Sequence, residues 1–120
     1  SHLIKEKSIE VEINVDDKFE ITMNSYLSDT LFVNLIKNAI MHNVQDGKIN
    51  INYDGKALYI INSGPELNIK DNIFKRFVRS SNKESLGIGL SIVKRICDAY
   101  SINIFYDYNN QHEFKLEFKT

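Results

Sequence analysis

The chain has 120 residues, 42% of them hydrophobic, and its 15 basic and 16 acidic side chains leave a formal net charge of −1. This length predicts one domain over residues 1–120 with its own hydrophobic core, in which Ser1 and His2 fit a cloning remnant. The balanced charge excludes the basic field used for nucleic-acid binding and for direct membrane contact. No apolar run approaches the roughly 20 residues that span a bilayer. The lone Cys97 indicates a reducing, cytoplasmic compartment.

Apolar and polar residues alternate over 9–15 and again over 19–23, which predicts a pair of strands at the front of the domain. A helix follows over about 28–44, where Ser28 or Asp29 can cap the first turn. The buried face predicted for this helix consists of Leu31, Phe32, Leu35, Ile36, Ala39 and Ile40.

Two asparagines lie one helical turn apart in this helix. Asn34 and Asn38 are followed at the same spacing by His42, so the three side chains share one face. Asparagine is a mediocre helix former, so the stripe indicates either a pocket lining or core asparagines satisfied by the backbone. Carboxamide oxygens suit Mg²⁺, which proteins hold with few oxygens beside substrate phosphates.

Two hairpins are predicted further along, at Asp54-Gly55, which suits a type I′ turn, and at Asn109-Asn110. Their strands are 49–53 with 57–61 and 102–106 with 114–118. Because the strands outnumber the helices and pair with neighbours, the predicted fold class is an α/β two-layer sandwich. Its sheet is expected to be mixed and largely antiparallel, with the helices packed on one face.

A short helix over 71–77 and a polar loop over 79–85 are predicted between the hairpins, before a second long helix that starts near Ile88. The inward residues of the second helix are Ile88, Ile92, Val93, Ile96, Cys97 and Tyr100. Gly87-Ile-Gly89 opens it, which fits phosphate binding by exposed N–H groups or a flexible hinge.

Three further features of the sequence allow either a ligand-binding role or a purely structural one. Asn62-Ser-Gly64 follows an apolar strand, where it either presents a polar group to a base or forms an ordinary turn. A basic cluster either neutralises a triphosphate or forms a solvated face; its members are Arg76, Arg79 and Lys83. Phe74 and Phe77 fit an anchoring role for the short helix, and His112 is expected at the surface.

The order of four segments resembles the catalytic and ATP-binding domain of two-component sensor histidine kinases. The N box is Asn34 to Asn43, the first glycine box Asn62-Ser-Gly64, the F box Ile73 to Phe77 and the second glycine box Leu86 to Val93. The resemblance implies a Bergerat-type sandwich that binds ATP with Mg²⁺ beneath a lid over about residues 70–86.

By resemblance, Asn38 is the principal Mg²⁺ ligand and Asn34 assists at the metal or the phosphates. His42 borders the ribose or phosphate, Asn62 reads the adenine amino group and Gly64 makes room for the ring. The second glycine box holds the phosphates through Gly87, Gly89 and Leu90. Phe74 and Arg76 are counted with the nucleotide-binding residues, and Arg79 is expected to stabilise the transferred charge.

Two positions depart from the family pattern. Asn62 replaces the usual aspartate, which should weaken the adenine contact by about 1 kcal/mol without abolishing it. Met41 stands where a lysine is common and cannot supply charge to the phosphates. His112-Glu-Phe does not match the family's phosphoacceptor motif, in which an acidic residue, a basic residue and soon a proline follow the histidine. The acceptor histidine is therefore expected on a separate helical dimerisation domain of the parent protein.

The predicted function is that of a cytoplasmic histidine kinase domain, serving a parent protein anchored in the membrane and a downstream response regulator. One alternative is a degenerate module that binds nucleotide weakly or acts through partners. Another is an ATPase of the same fold group, for which the only acidic base on offer near the start of the N-box helix is Asp29.

Overall fold

In the computed structural model, the residues described are 6–16, 19–66 and 84–118. They contain five strands and two long helices, which we number in chain order. The elements are β1 (Glu10–Asn14), α1 (Ser25–Met41), β2 (Lys48–Tyr53), β3 (Ala57–Asn62), α2 (Glu84–Ala99), β4 (Asn103–Tyr108) and β5 (His112–Glu117). No helix among these residues is both long and apolar enough to span a membrane.

The strands form one sheet in the order β1-β2-β3-β5-β4. Among the strands of the described residues, the β1–β2 pair alone is parallel; the other three pairs are antiparallel. Alternate residues of each strand point to opposite faces, and one face carries the core residues Leu58, Ile60, Phe114 and Leu116. α1 and α2 pack against this face with Leu31, Leu35, Val93 and Cys97, all buried. The predicted sandwich with a mixed, largely antiparallel sheet and helices on one face is confirmed.

Of the two strands predicted at the start of the domain, one is confirmed and the other is wrong. Residues 10–14 form β1, but residues 19–23 form no strand, and β1 pairs instead with β2. Phe19 packs its ring against Tyr53 at 4.7 Å and against Phe118 at 5.5 Å. The alternating segment therefore buries its apolar side chains at the core margin without a partner strand. Alternation alone could not distinguish the two arrangements.

Both long helices begin earlier than predicted. α1 starts at Ser25 because Asn24, not Ser28 or Asp29, is the N-cap: its Oδ1 accepts the Leu27 N–H at 3.0 Å. It ends at Met41, short of the predicted Val44. α2 starts at Glu84 instead of near Ile88. The predicted buried face of α1 is largely confirmed, with Phe32 and Ile36 half-buried.

Both predicted hairpins are confirmed. Asp54 Oδ1 accepts the N–H groups of Lys56 and Ala57, each at 2.9 Å, which closes the first turn. Gly55 has φ of +96° there, a conformation that suits glycine. Asn110 takes φ of +64° in the second turn. The predicted helix over 71–77 and most of the 79–85 loop lie outside the described residues.

Candidate functional site

Among the described residues, three buried side-chain polar atoms without a hydrogen-bond partner belong to residues that lie close together at the end of the sheet's helix-covered face. They are Asn38 Oδ1, His42 Nε2 and Asn62 Oδ1. Asn38 and His42 are one turn apart on α1, the rings of His42 and His112 are 6.0 Å apart, and His112 pairs with Asn62 across β3 and β5. Since buried polar groups are nearly always hydrogen-bonded, this concentration indicates a site that binds a polar ligand.

Asn38 is only 4% exposed, and its carboxamide oxygen has no partner. Its backbone carbonyl accepts the His42 N–H at 3.1 Å, so the last turn of α1 fixes both residues relative to each other. An unpartnered buried amide oxygen costs about 1–3 kcal/mol. Asn38 thus has the properties of a ligand-facing residue rather than of a core asparagine satisfied by backbone.

Asn34 behaves differently from Asn38. Its Nδ2 donates to the Thr30 carbonyl at 2.7 Å, one turn back in the same helix. Its Oδ1 faces α2, where a Cβ on Gly89 would lie 2.8 Å away. The amide nitrogen of Asn34 is therefore satisfied by the backbone, as one of the two interpretations of the asparagine stripe expects. The amide oxygen of Asn34 is directed toward the second glycine box.

His42 is half-buried and neutral at physiological pH. Burial, followed by the charges of His112 and the Lys7 ammonium, lowers the pKa of His42 from 6.5 to about 4. A neutral imidazole cannot replace the charge that Met41 lacks, but its unpartnered Nε2 can form a hydrogen bond with a ligand.

Asn62 ends β3 and is 1% exposed. Its Nδ2 donates to the Ser63 carbonyl at 2.8 Å, which orients the amide and leaves Oδ1 without a partner. An acceptor in this position can take an N–H from a base. Gly64 has φ of +147°, and a Cβ there would overlap the His42 carbonyl oxygen, so only glycine fits against the end of α1.

His112 contradicts the expectation of a surface residue, because it is 1% exposed on the inner face of β5. Its Nε2 lies 2.8 Å from the Pro65 carbonyl oxygen, and its Nδ1 lies 2.6 Å from Tyr106 Oη. A carbonyl only accepts, so Nε2 carries the proton and the tyrosine hydroxyl donates to Nδ1. Burial lowers the pKa of His112, although the Pro65 carbonyl opposes this.

Tyr108 completes this support of the Gly64-Pro65 turn, because its hydroxyl donates to the Gly64 carbonyl at 3.0 Å. Sequence reasoning missed His112, Tyr106 and Tyr108 as site residues. The available signal was weak: alternation along β4 and β5 places all three on the core face, but it does not show which distant groups their polar atoms contact.

Two more residues near the end of α1 were missed. Asn43 is buried; its Nδ2 donates to the Lys48 carbonyl at 3.0 Å and its Oδ1 accepts the Val44 N–H at 2.9 Å. Lys7 directs its ammonium at backbone carbonyls of the same helix end. The Lys7 contacts join residues far apart in the chain, so no local pattern predicts them, whereas the partners of Asn43 lie within five positions of it.

The second glycine box lies within the first turns of α2. Because the helix starts at Glu84, Gly87 falls among the early residues whose N–H groups lack helical partners, whereas Gly89 and Leu90 lie further in. The Leu90 side chain is buried in the core. Phosphate binding by Gly87, Gly89 and Leu90 stays a prediction. Phe74, Arg76, Arg79 and most of the predicted lid lie outside the described residues.

These residues fit Mg²⁺ and a nucleotide. Asn38 Oδ1 and Asn34 Oδ1 are hard neutral oxygens of the kind that accompanies phosphate in magnesium sites. Asn62 Oδ1 is a buried acceptor near Gly64, whose α-carbon packs against the His42 carbonyl. Room for the adenine ring at Gly64 stays a prediction. The fit rests on the two unpartnered carboxamide oxygens, Asn38 Oδ1 and Asn62 Oδ1.

Residues 27–120 match the family model for histidine kinase-, DNA gyrase B- and HSP90-like ATPases. The sensor histidine kinase HprS of Escherichia coli (strain K12) is 30% identical over 111 residues, which cover 86% of this chain and 25% of that protein. The chain therefore spans about a quarter of the length of the curated relatives it matches.

Two solved structures share the fold. The catalytic domain of histidine kinase ThkA superposes with a TM-score of 0.80 and 25% identity, over 98% of this chain and 84% of that chain. The cytoplasmic segment of histidine kinase QseC gives a TM-score of 0.73 and 19% identity, over 98% of this chain and 66% of that chain. The chain belongs to the histidine kinase-, DNA gyrase B- and HSP90-like ATPase family.

Proposed function

We propose that this domain transfers the γ-phosphoryl group of ATP to a histidine nitrogen on a separate helical domain of its parent protein. The bond between the γ-phosphorus and its bridging oxygen breaks, a P–N bond forms, ADP leaves and the imidazole gives up a proton. Such transfer depends on positioning and charge stabilisation. The unpartnered, buried Asn38 Oδ1 is the observation that carries the proposal.

Asn62 reads the base in this proposal. Its oriented Oδ1 accepts from the exocyclic amino group of adenine, while the Nδ2 bond to the Ser63 carbonyl prevents the amide from turning away. Tyr108 and His112 hold the carbonyls of Gly64 and Pro65 and so keep the turn open for the ring. Preference for ATP over GTP follows, because guanine carries a carbonyl where adenine has an amino group.

Asn38, assisted by Asn34, would hold Mg²⁺ on the triphosphate, and the ion would neutralise phosphate charge. Since Met41 supplies no cation and His42 is neutral, we assign further charge stabilisation to Arg79 and Arg76. Gly87, Gly89 and Leu90 would contact the phosphates through backbone N–H groups, and Phe74 would lie beside the nucleotide. Each of these roles is part of the proposal.

The partners we propose are the phosphoacceptor and dimerisation domain of the parent protein and a downstream response regulator. This assignment is supported by the relatives that are sensor histidine kinases. We place the domain in the cytoplasm beneath a membrane-anchored sensor, consistent with its likeness to the cytoplasmic segment of QseC. We propose no nucleic-acid partner and no direct membrane contact for residues 1–120.

Phosphate transfer to an added acceptor domain tests the function. Asn38→Ala should reduce transfer from Mg-ATP at least tenfold, whereas Asn103→Ala, at an exposed position of β4, should match the wild type. Transfer by Asn38→Ala at the wild-type rate would refute the Mg²⁺ assignment. Equal use of ATP and GTP by the wild type would show that Asn62 does not read adenine.

A degenerate nucleotide-binding or partner-binding module is the second candidate, favoured by Asn62 in place of a carboxylate and by Met41 in place of a cation. Calorimetry separates the two. A working kinase should bind Mg-ATP in the micromolar range or tighter, near about −8 kcal/mol. Heats that show no saturation at millimolar Mg-ATP would favour the second candidate.

A further inference from the structure

The C-terminal end of α1 is held by a residue from a distant part of the chain. Lys7 Nζ donates to the carbonyl oxygens of Ile40 at 3.1 Å, Met41 at 3.3 Å and Asn43 at 3.2 Å. We call this three-bond contact the Lys7 clamp. The last carbonyls of a helix lack intrahelical partners, and α1 has no basic residue in its own last turn. The ammonium supplies three donors and a charge complementary to the helix dipole there.

The backbone around Lys7 is itself held by hydrogen bonds, which fix the point from which the side chain extends. The Lys7 carbonyl accepts the Asp46 N–H at 2.7 Å, and the Glu10 N–H donates to the Gly47 carbonyl at 2.9 Å. β1 then continues in parallel register with β2. The clamp thus joins the segment before β1 to the turn that leaves α1.

The clamped turn carries the ligand-facing groups. His42 N–H donates to the Asn38 carbonyl at 3.1 Å, and Asn43 N–H donates to the Ile40 carbonyl at 3.2 Å, so fraying would displace Asn38 and His42 together. Gly64 packs against the His42 carbonyl. We propose that Lys7 is a positioning residue of the nucleotide site, which holds the last turn of α1 so that Asn38 keeps its place toward metal-bound phosphate; this inference rests on the proposed function.

The effect of the clamp on nucleotide affinity follows from the fraction of molecules in which the last turn of α1 is closed. If the clamp keeps the turn closed, its loss lowers the fraction of molecules that are ready to bind and weakens apparent affinity by the same factor. Charge-assisted hydrogen bonds at a helix end justify an expected loss of about tenfold. Base contacts come from β3 and should change less, by under about threefold.

The experiment compares Lys7→Met, Lys7→Arg and Lys56→Met, the last replacing a lysine in the exposed β2–β3 turn. Calorimetry measures binding of Mg-ADP and of ADP in a metal chelator. Lys7→Met should weaken Mg-ADP about tenfold and chelated ADP less than threefold; Lys7→Arg should restore most of the loss, and Lys56→Met should match the wild type. Unchanged Mg-ADP binding by a folded Lys7→Met, equal weakening of both, or failure of Lys7→Arg to restore binding would overturn the inference.

Amide hydrogen exchange separates failure of the clamp from failure of the proposed function. Lys7→Met should speed exchange at the amides of His42 and Asn43 in ligand-free protein, whether or not nucleotide binds. A wild type that binds no nucleotide would refute the proposed function. Independently of nucleotide binding, unchanged exchange at the His42 and Asn43 amides in Lys7→Met would refute the clamp. If Lys7→Met does not fold, Lys7→Gln, which keeps an NH₂ donor without the charge, takes its place with the same criteria.

Discussion

Acidification should destabilise the fold through His42. The unfolded side chain takes up a proton near its ordinary pKa of 6.5, whereas burial keeps the folded pKa at about 4. Between these values the unfolded state binds more protons, so the free energy of unfolding falls as the pH is lowered and recovers fully above 6.5. The groups facing His42 act in the same direction, since the His112 imidazole and the Lys7 ammonium both disfavour a second positive charge.

The magnitude follows from the two pKa values. A group with pKa 6.5 unfolded and about 4 folded would contribute about 2 kcal/mol of destabilisation between pH 8 and pH 5. His42 is only half-buried, so solvent screening reduces the expected effect to about 1 kcal/mol. His42→Gln removes this dependence and keeps the other ionisable groups.

Urea denaturation at pH 8, 7, 6 and 5 measures the effect for wild type and His42→Gln. The wild type should lose about 1 kcal/mol more than the variant over this range. Titration of the imidazole ¹³C signals checks the cause directly, because His42 should titrate near pH 4. Equal acid sensitivity of the two proteins, or a His42 midpoint near 6.5, would refute the reasoning.

Three further changes have expected outcomes. Gly64→Ala should lower the free energy of unfolding by about 3 kcal/mol in urea titrations, because φ of +147° and the His42 carbonyl both oppose a Cβ; a loss below 1 kcal/mol would contradict this. Gly89→Ala should preserve or raise stability by up to about 1 kcal/mol through helix propensity. It should also weaken Mg-ATP binding in calorimetry, since the new Cβ would lie 2.8 Å from Asn34 Oδ1 and displace that amide. The Cys97 thiol is fully buried, with its pKa raised to about 12, so it should resist alkylation at pH 7.5 until urea unfolds the chain; rapid labelling of native protein would argue against its burial.

Features with a local physical cause were predictable from sequence. Asp54 closes its own turn with two hydrogen bonds, and Gly55 accepts the positive φ, so the first hairpin follows from the dipeptide itself. The stripe of Asn34, Asn38 and His42 follows from helical spacing in the same way. Helix ends were harder, because Asn24 and Ser28 are both acceptable caps and only the packed structure selects between them.

Features built from distant parts of the chain were not predictable. His112 looked like a surface residue because nothing near it in sequence shows the Pro65 carbonyl, 47 residues away, that satisfies it. Phe19 looked like part of a strand because its ring partners, Tyr53 and Phe118, enter only on folding.

The amino-acid sequence by itself determined the hairpins, the amphipathic helices and the order of the polar groups that identify the family, since each depends on residues within a few positions of one another. Tertiary structure alone decided the parallel pairing of β1 with β2, the burial of His112 and the contact of Lys7 with α1. These features depend on the free energy of the whole packed structure. In that structure each buried polar group needs a partner, which can come from any part of the chain, so local periodicity does not predict it.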